Sequence, residues 1–124
     1  MTVEYLHLED LLQLAADLGD LVVRDLGLLE AAAQRPQTTL YGQEAYPGIP
    51  EKAAVLLESL TRNRALVDGN KRIGWLAVAV FLRLNGLTLD APDDEAYDLV
   101  IAVSTGALDH GAVSRHLERW ISDV

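Results

Sequence analysis

The chain has 124 residues, 50% of them apolar and 23% charged, which suits one compact core and leaves no room for a second. It has no cysteine, so disulfides, thiolate zinc sites and cysteine catalysis are excluded. Nineteen acids against ten bases give a net charge of −9, and a chain this acidic does not hold nucleic acid by general counterion release.

Leu11, Leu12, Leu14, Ala15 and Leu18 recur at helical spacing, so a first helix is expected over Glu9 to Leu18, stopped by Gly19. A second runs from Leu26 to Gln34. It ends at the Arg35-Pro36 step, because a residue before proline disfavours the helical region. Thr38 to Pro50 is punctuated by Gly42, Pro47, Gly48 and Pro50 and carries Tyr41 and Tyr46. It has the breakers for a small hairpin but is read as a long surface loop.

A third helix starts near Pro50, a residue suited to a first turn, and ends near Asn63. Its apolar face is Ala53, Ala54, Leu56, Leu57 and Leu60. A fourth begins near Gly69 and stops at Asn85-Gly86. From Ile73 to Leu82 it is apolar on every side, which marks the centre of a bundle. Leu87-Thr88-Leu89 is β-like but too short to carry weight. Asp93 or Asp94 is placed to cap a fifth helix ending near Thr105-Gly106. Asp109 is placed to cap a sixth, with Val113, Leu117, Trp120 and Ile121 turned inward. The expected fold is all-α: one compact domain over residues 1–124, with about six helices around a central apolar helix. The apolar run Ile73 to Leu82 is about half of what a membrane span needs. No cationic segment followed by an apolar run and a cleavage site opens the chain, so a cytoplasmic protein with no membrane partner is expected.

Charge is uneven. From Thr61 to Leu84 there are five bases (Arg62, Arg64, Lys71, Arg72, Arg83) and one acid, Asp68, a balance of +4 that leaves −13 on the rest. Such an island is either an anion site or a set of solvated helix ends. Asp68-Gly69-Asn70-Lys71-Arg72 lies where the fourth helix begins. A helix start carries unpartnered N–H groups and partial positive charge, and it disfavours lysine and arginine unless an anion docks there. Asp68 has two readings: the N-cap, or a ligand for Mg²⁺ beside bound phosphates. Asn70 either donates its amide to phosphate or is a helix-start residue of no further role. His7, His110 and His116 show no metal-ligand spacing, and Ser104, Ser114 and Ser122 lie in no nucleophile motif.

Asn63-Arg64-Ala65-Leu66-Val67-Asp68-Gly69-Asn70-Lys71-Arg72 resembles the signature of the Fic/Doc family. In the Doc branch that signature reads His-x-x-x-[Asp/Asn]-[Gly/Ala]-Asn-Lys-Arg; the classical Fic branch has glycine where this chain has Lys71. A second stretch is also Doc-like: Val23-Arg24-Asp25-Leu26-Gly27-Leu28-Leu29-Glu30, then Arg35-Pro36-Gln37, Tyr41-Gly42 and Tyr46-Pro47. Together they cover roughly residues 5 to 90. One position departs from the pattern: Arg64 stands where the signature has histidine. In family members that histidine is the general base on a target hydroxyl. Arginine stays protonated and cannot take that proton.

The resemblance implies a toxin of a toxin–antitoxin pair that transfers phosphate from ATP to a translation elongation factor, inactivated here at Arg64. An engineered substitution is favoured over a natural pseudoenzyme, because the rest of the motif is intact. A nucleotide- or antitoxin-binding pseudoenzyme and a Fic-like adenylyltransferase are the alternatives. By the same resemblance Asp68 holds Mg²⁺ or positions the target hydroxyl. The backbone of Gly69 and Asn70 cradles phosphate, and Lys71 and Arg72 neutralise the transferred group. Thr38 to Pro50 sits where the family has a flap that aligns the target. Restraint is expected from a Phd-like antitoxin that lays a helix into an apolar groove.

Overall fold

Every residue from Lys52 to Thr61 is buried, and the helix that contains them organises the molecule. The computed structural model describes residues 2–124. Among them, α1 (Leu8–Asp17), α2 (Leu26–Gln34) and a 3-10 turn (Arg35–Gln37) precede a hairpin of β1 (Thr39–Leu40) and β2 (Gln43–Glu44). Then come α3 (Ile49–Arg62), α4 (Asn70–Leu84), β3 (Leu87–Leu89), α5 (Asp93–Ser104), α6 (His110–Trp120) and β4 (Ile121–Asp123). The fold is all-α, as expected, and among the described residues no helix is long and apolar enough to cross a membrane. Asp25 caps α2 by accepting from Leu28 N at 3.0 Å, and Asp109 caps α6 by accepting from Ala112 N at 3.1 Å.

The helix enclosed on all sides is α3 rather than α4. In α4 the buried face is Ile73, Gly74, Ala77, Val78, Phe81 and Leu82, while Trp75, Leu76 and Ala79 stay half-buried. Apolar character all round α4 misled because its outer face lines a groove instead of a core. The polar residues of α3 hid its centrality, and they are buried in pairs. Fully buried Lys52 donates to the Glu44 carboxylate at 3.0 Å and to the Tyr46 carbonyl. Glu58 takes Arg35 at 2.8 Å, Arg62 at 3.2 Å and His110 at 3.5 Å. Burial pulls the Arg35 pKa down, but its bonds to Tyr46 and Glu58 outweigh this, and the net direction is up. Leu57, Leu60 and Phe81 fill the α3–α4 contact, each contributing roughly 2 kcal/mol by leaving water.

Three further expectations are corrected. Thr38 to Pro50 contains the antiparallel β1–β2 hairpin, turned by Tyr41 and Gly42 at positive φ. Leu87-Thr88-Leu89 does carry weight: it pairs antiparallel with Ile121–Asp123, so Ile121 ends α6 and starts a strand. That partner lies more than thirty residues away in sequence, beyond local periodicity. Neither Asp93 nor Asp94 caps α5; Pro92 holds that place and both acids lie in the first turn.

One close approach sets up the site. A Cβ on Gly74 would lie 3.0 Å from Thr61 Cγ2 and 3.2 Å from Leu57 Cδ1. The missing side chain lets α4 lie tight against the end of α3, so the residues joining the two helices fold over their shared end.

Candidate active site

The connection from α3 to α4, residues 63–69, is shaped by partners on both sides. Arg62 turns inward: it pairs with Glu58, and its Nε donates to the Val103 carbonyl at 2.8 Å. That bond brings the C-terminal end of α5, with Ser104, beside the connection. Arg62 is therefore a structural base, not part of a free anion site. Arg64 follows at φ +53°, the left-handed region, which costs an L residue about 1–2 kcal/mol. Histidine, asparagine and aspartate are enriched there; arginine is not. Residues 22–25 hold the connection like a strand. Val67 N donates to Val22 O at 2.9 Å, Val23 bridges Leu66, and Arg24 N donates to Ala65 O at 2.7 Å.

Gly69 then turns the chain into α4. Its φ is +88°, and a Cβ there would sit 2.6 Å from Leu21 Cδ1. Only glycine meets both demands without a shift. The helix cap is Gly69, so Asp68 is not the N-cap; its carboxylate accepts the Gly69 N–H at 2.8 Å instead. The Gly69 amide is thereby engaged. Asn70 is engaged too: its side chain closes on Leu66, accepting that N–H and donating to that C=O, each at 3.0 Å. The bond to the C=O commits one of the two Asn70 amide N–H groups. The backbone supplies further donors. No side chain caps α4, so the N–H groups of residues 70–72 have no partner within the helix.

These residues line one cavity of about 170 Å³, and every sequence-predicted site residue is on its wall: Arg64, Asp68, Gly69, Asn70, Lys71 and Arg72. Thr61, Val67 and Ser104 line it as well and were not anticipated. Thr61 is near the motif in sequence and Val67 lies within it; nothing local marks Ser104, which arrives through the Arg62–Val103 bond. No acid pairs with Arg64, Lys71 or Arg72 among the described residues. Three cations without an acid partner, the N–H groups of residues 70–72 and a positive helix end therefore border one small space, an arrangement that favours an anion.

Asp68 is the single carboxylate on that wall. Among the described residues no cluster of three or more acids and histidines is arranged to hold a metal by itself. Mg²⁺ takes one or two carboxylates and completes its shell with phosphate oxygens and water. The donor set therefore fits Mg²⁺ when polyphosphate is bound with it.

A second cavity of about 530 Å³ runs between α4 and α5. Trp75, Leu76, Ala79, Ala96, Val100 and Ile101 make most of its wall, and Tyr97, 68% exposed, stands on its rim. Lys71 and Arg72 line both cavities; Arg64 lines the first alone.

Residues 3–82 match the model of the Fic/DOC family. The chain is also 49% identical over 118 residues to a protein of Mycolicibacterium smegmatis named Toxin Doc, covering 92% of this chain and 91% of that one. With the all-α fold and the Asp-Gly-Asn-Lys-Arg turn already in place, these matches decide the assignment: the chain belongs to the Fic/Doc family.

Proposed function

We propose that this chain is a Doc-type protein phosphotransferase whose general-base position is filled by a residue that cannot act as one. The observation that carries the reading is the convergence of unpaired Lys71, Arg72 and the free N–H groups of residues 70–72 on one cavity. At about 170 Å³ the cavity suits phosphate groups and not a whole nucleotide, so the adenosine of ATP lies outside it. Asp68 holds Mg²⁺ beside the phosphates. Lys71 and Arg72 stabilise charge on the transferred group.

The acceptor is a hydroxyl of a translation elongation factor. In the complete reaction a base at position 64 takes the hydroxyl proton and the oxygen bonds to the γ-phosphorus. The bond to the bridging oxygen breaks and ADP leaves. Arg64 has no lone pair to take that proton, so this form binds and does not turn over. The pseudoenzyme reading shares the nucleotide site and differs only in what a restored base would do. The partner is an antitoxin that lays the apolar face of an amphipathic helix into the α4–α5 groove, clear of Arg64.

Calorimetry with ATP and Mg²⁺ tests the site. Binding is expected for the chain as it stands and is expected to fall at least about tenfold in Lys71→Ala, Arg72→Ala, since charge-assisted phosphate contacts contribute roughly 1.5–3 kcal/mol each. Unchanged affinity in that variant puts the nucleotide elsewhere.

A further inference from the structure

The carbonyl of Arg64 is gripped from outside the cavity. Arg24, 40 residues away in sequence, donates to it from Nε at 2.8 Å and from Nη2 at 2.5 Å. Nη2 also reaches the Asn63 carbonyl at 3.4 Å, and the Arg24 backbone N–H donates to Ala65 O at 2.7 Å. One residue thus holds the carbonyls on both sides of position 64 as well as that of residue 64 itself.

The grip is aimed at the backbone. Arg24 makes no ion pair among the described residues, and no other donor reaches the Arg64 carbonyl there. Position 64 needs such a hold, because it is an L residue at φ +53° and tends to relax toward negative φ. Such a relaxation would reorient both the carbonyl that Arg24 holds and the side chain that lines the cavity. Only a planar fork offers two donors to one carbonyl at fixed spacing; a lysine offers a single point.

We infer that Arg24 is the positioning residue of this active site, fixing the left-handed backbone at residue 64 so that the side chain there faces the phosphate cavity. The inference rests on the reading of position 64 as the base position. Arg24 itself lines neither cavity, so it acts through residue 64.

The test uses Arg64→His as the parent and adds Arg24→Ala or Arg24→Lys. Three quantities are read: kcat and KM for ATP with elongation factor as acceptor, thermal stability, and the ¹H–¹⁵N resonances of the introduced imidazole across pH. Arg24→Ala is expected to lower kcat about 10- to 100-fold, since a misplacement near 1 Å costs about that much. KM for ATP should stay within about twofold, because Lys71 and Arg72 are untouched. The imidazole resonances should broaden or split, and Arg24→Lys should recover part of kcat.

A folded Arg24→Ala variant with parental kcat and parental imidazole resonances overturns the inference. So does a loss of activity that only tracks the unfolded fraction while the resonances stay unchanged. If Arg24→Ala does not fold, Arg24→Lys decides by the same resonances. An inert parent defeats the proposed function, and the imidazole spectrum still decides the role of Arg24.

Discussion

The side-chain amide of Asn70 pairs twice with the backbone of Leu66, accepting the N–H through Oδ1 and donating to the C=O through Nδ2, each at 3.0 Å. This closes residues 66–70 into a ring that sets where α4 begins. The side chain must be donor and acceptor at once, and asparagine meets that demand where aspartate does not. Leu66 is buried, so its backbone groups have no water to fall back on. Asn70→Ala is expected to destabilise by about 2 kcal/mol, and Asn70→Asp by about half as much before any charge effect. The urea midpoint at unchanged m-value measures both. An Asn70→Ala variant as stable as the parent removes Asn70 as the closure.

Gly69 makes a sharper case, because two independent demands fall on it. Its φ of +88° disfavours a side chain, and an added Cβ meets Leu21 Cδ1 at 2.6 Å and Arg72 Nη2 at 3.2 Å. Gly69→Ala is expected to lose roughly 1–2 kcal/mol from the backbone alone. Displacing Arg72 should also weaken ATP binding more than the stability change explains. Melting and calorimetry on the same sample separate the two effects. Full ATP affinity in a destabilised variant places Arg72 outside the phosphate contacts.

Asp109 gives the chain a defined acid response. The Ala112 N–H it caps holds its carboxylate below the ordinary value of 3.8, and the neighbouring His110 adds to the shift. The folded-state pKa is depressed, so the stabilisation is fully present above the unfolded value. It is lost as pH falls through the folded one. Asp109→Asn keeps a capping oxygen without the charge, and its acid limb of unfolding should be flatter than the parent's below pH 3.8. Carboxyl titration by NMR should show the Asp109 midpoint below that value. A midpoint above it contradicts the cap.

How much was legible depended on distance along the chain. Leu26 to Gln34 was read to the residue, because the Arg35-Pro36 stop is local. The turn that lines the small cavity was legible because all its parts lie within five residues, Asp68 to Arg72. The exact cap was not, since Asp68 and Gly69 are both reasonable N-caps and the choice rests on a backbone φ. The burial of α3 was hidden because Lys52 and Glu58 read as surface residues until Glu44, Arg35 and His110 arrive from other elements. Ser104 at the cavity and Arg24 on the Arg64 carbonyl depend on contacts forty or so residues apart, which no periodicity reports.

Label transfer by the Arg64→His variant tests most directly whether residue 64 is the missing base of an otherwise complete site. The left-handed backbone there suits histidine, so stability should stay within about 1 kcal/mol. The new imidazole, with a pKa near roughly 6.5, is free to take a proton at neutral pH. Incubated with elongation factor and ATP labelled at the α or the γ phosphorus, the variant is expected to transfer γ label and no α label. The rate should exceed that of the Arg64 chain by at least about 100-fold, and an added Asp68→Ala should abolish it. A folded, ATP-binding Arg64→His variant that transfers neither label contradicts the base assignment, and transfer of the α label contradicts phosphoryl chemistry in favour of adenylyl transfer.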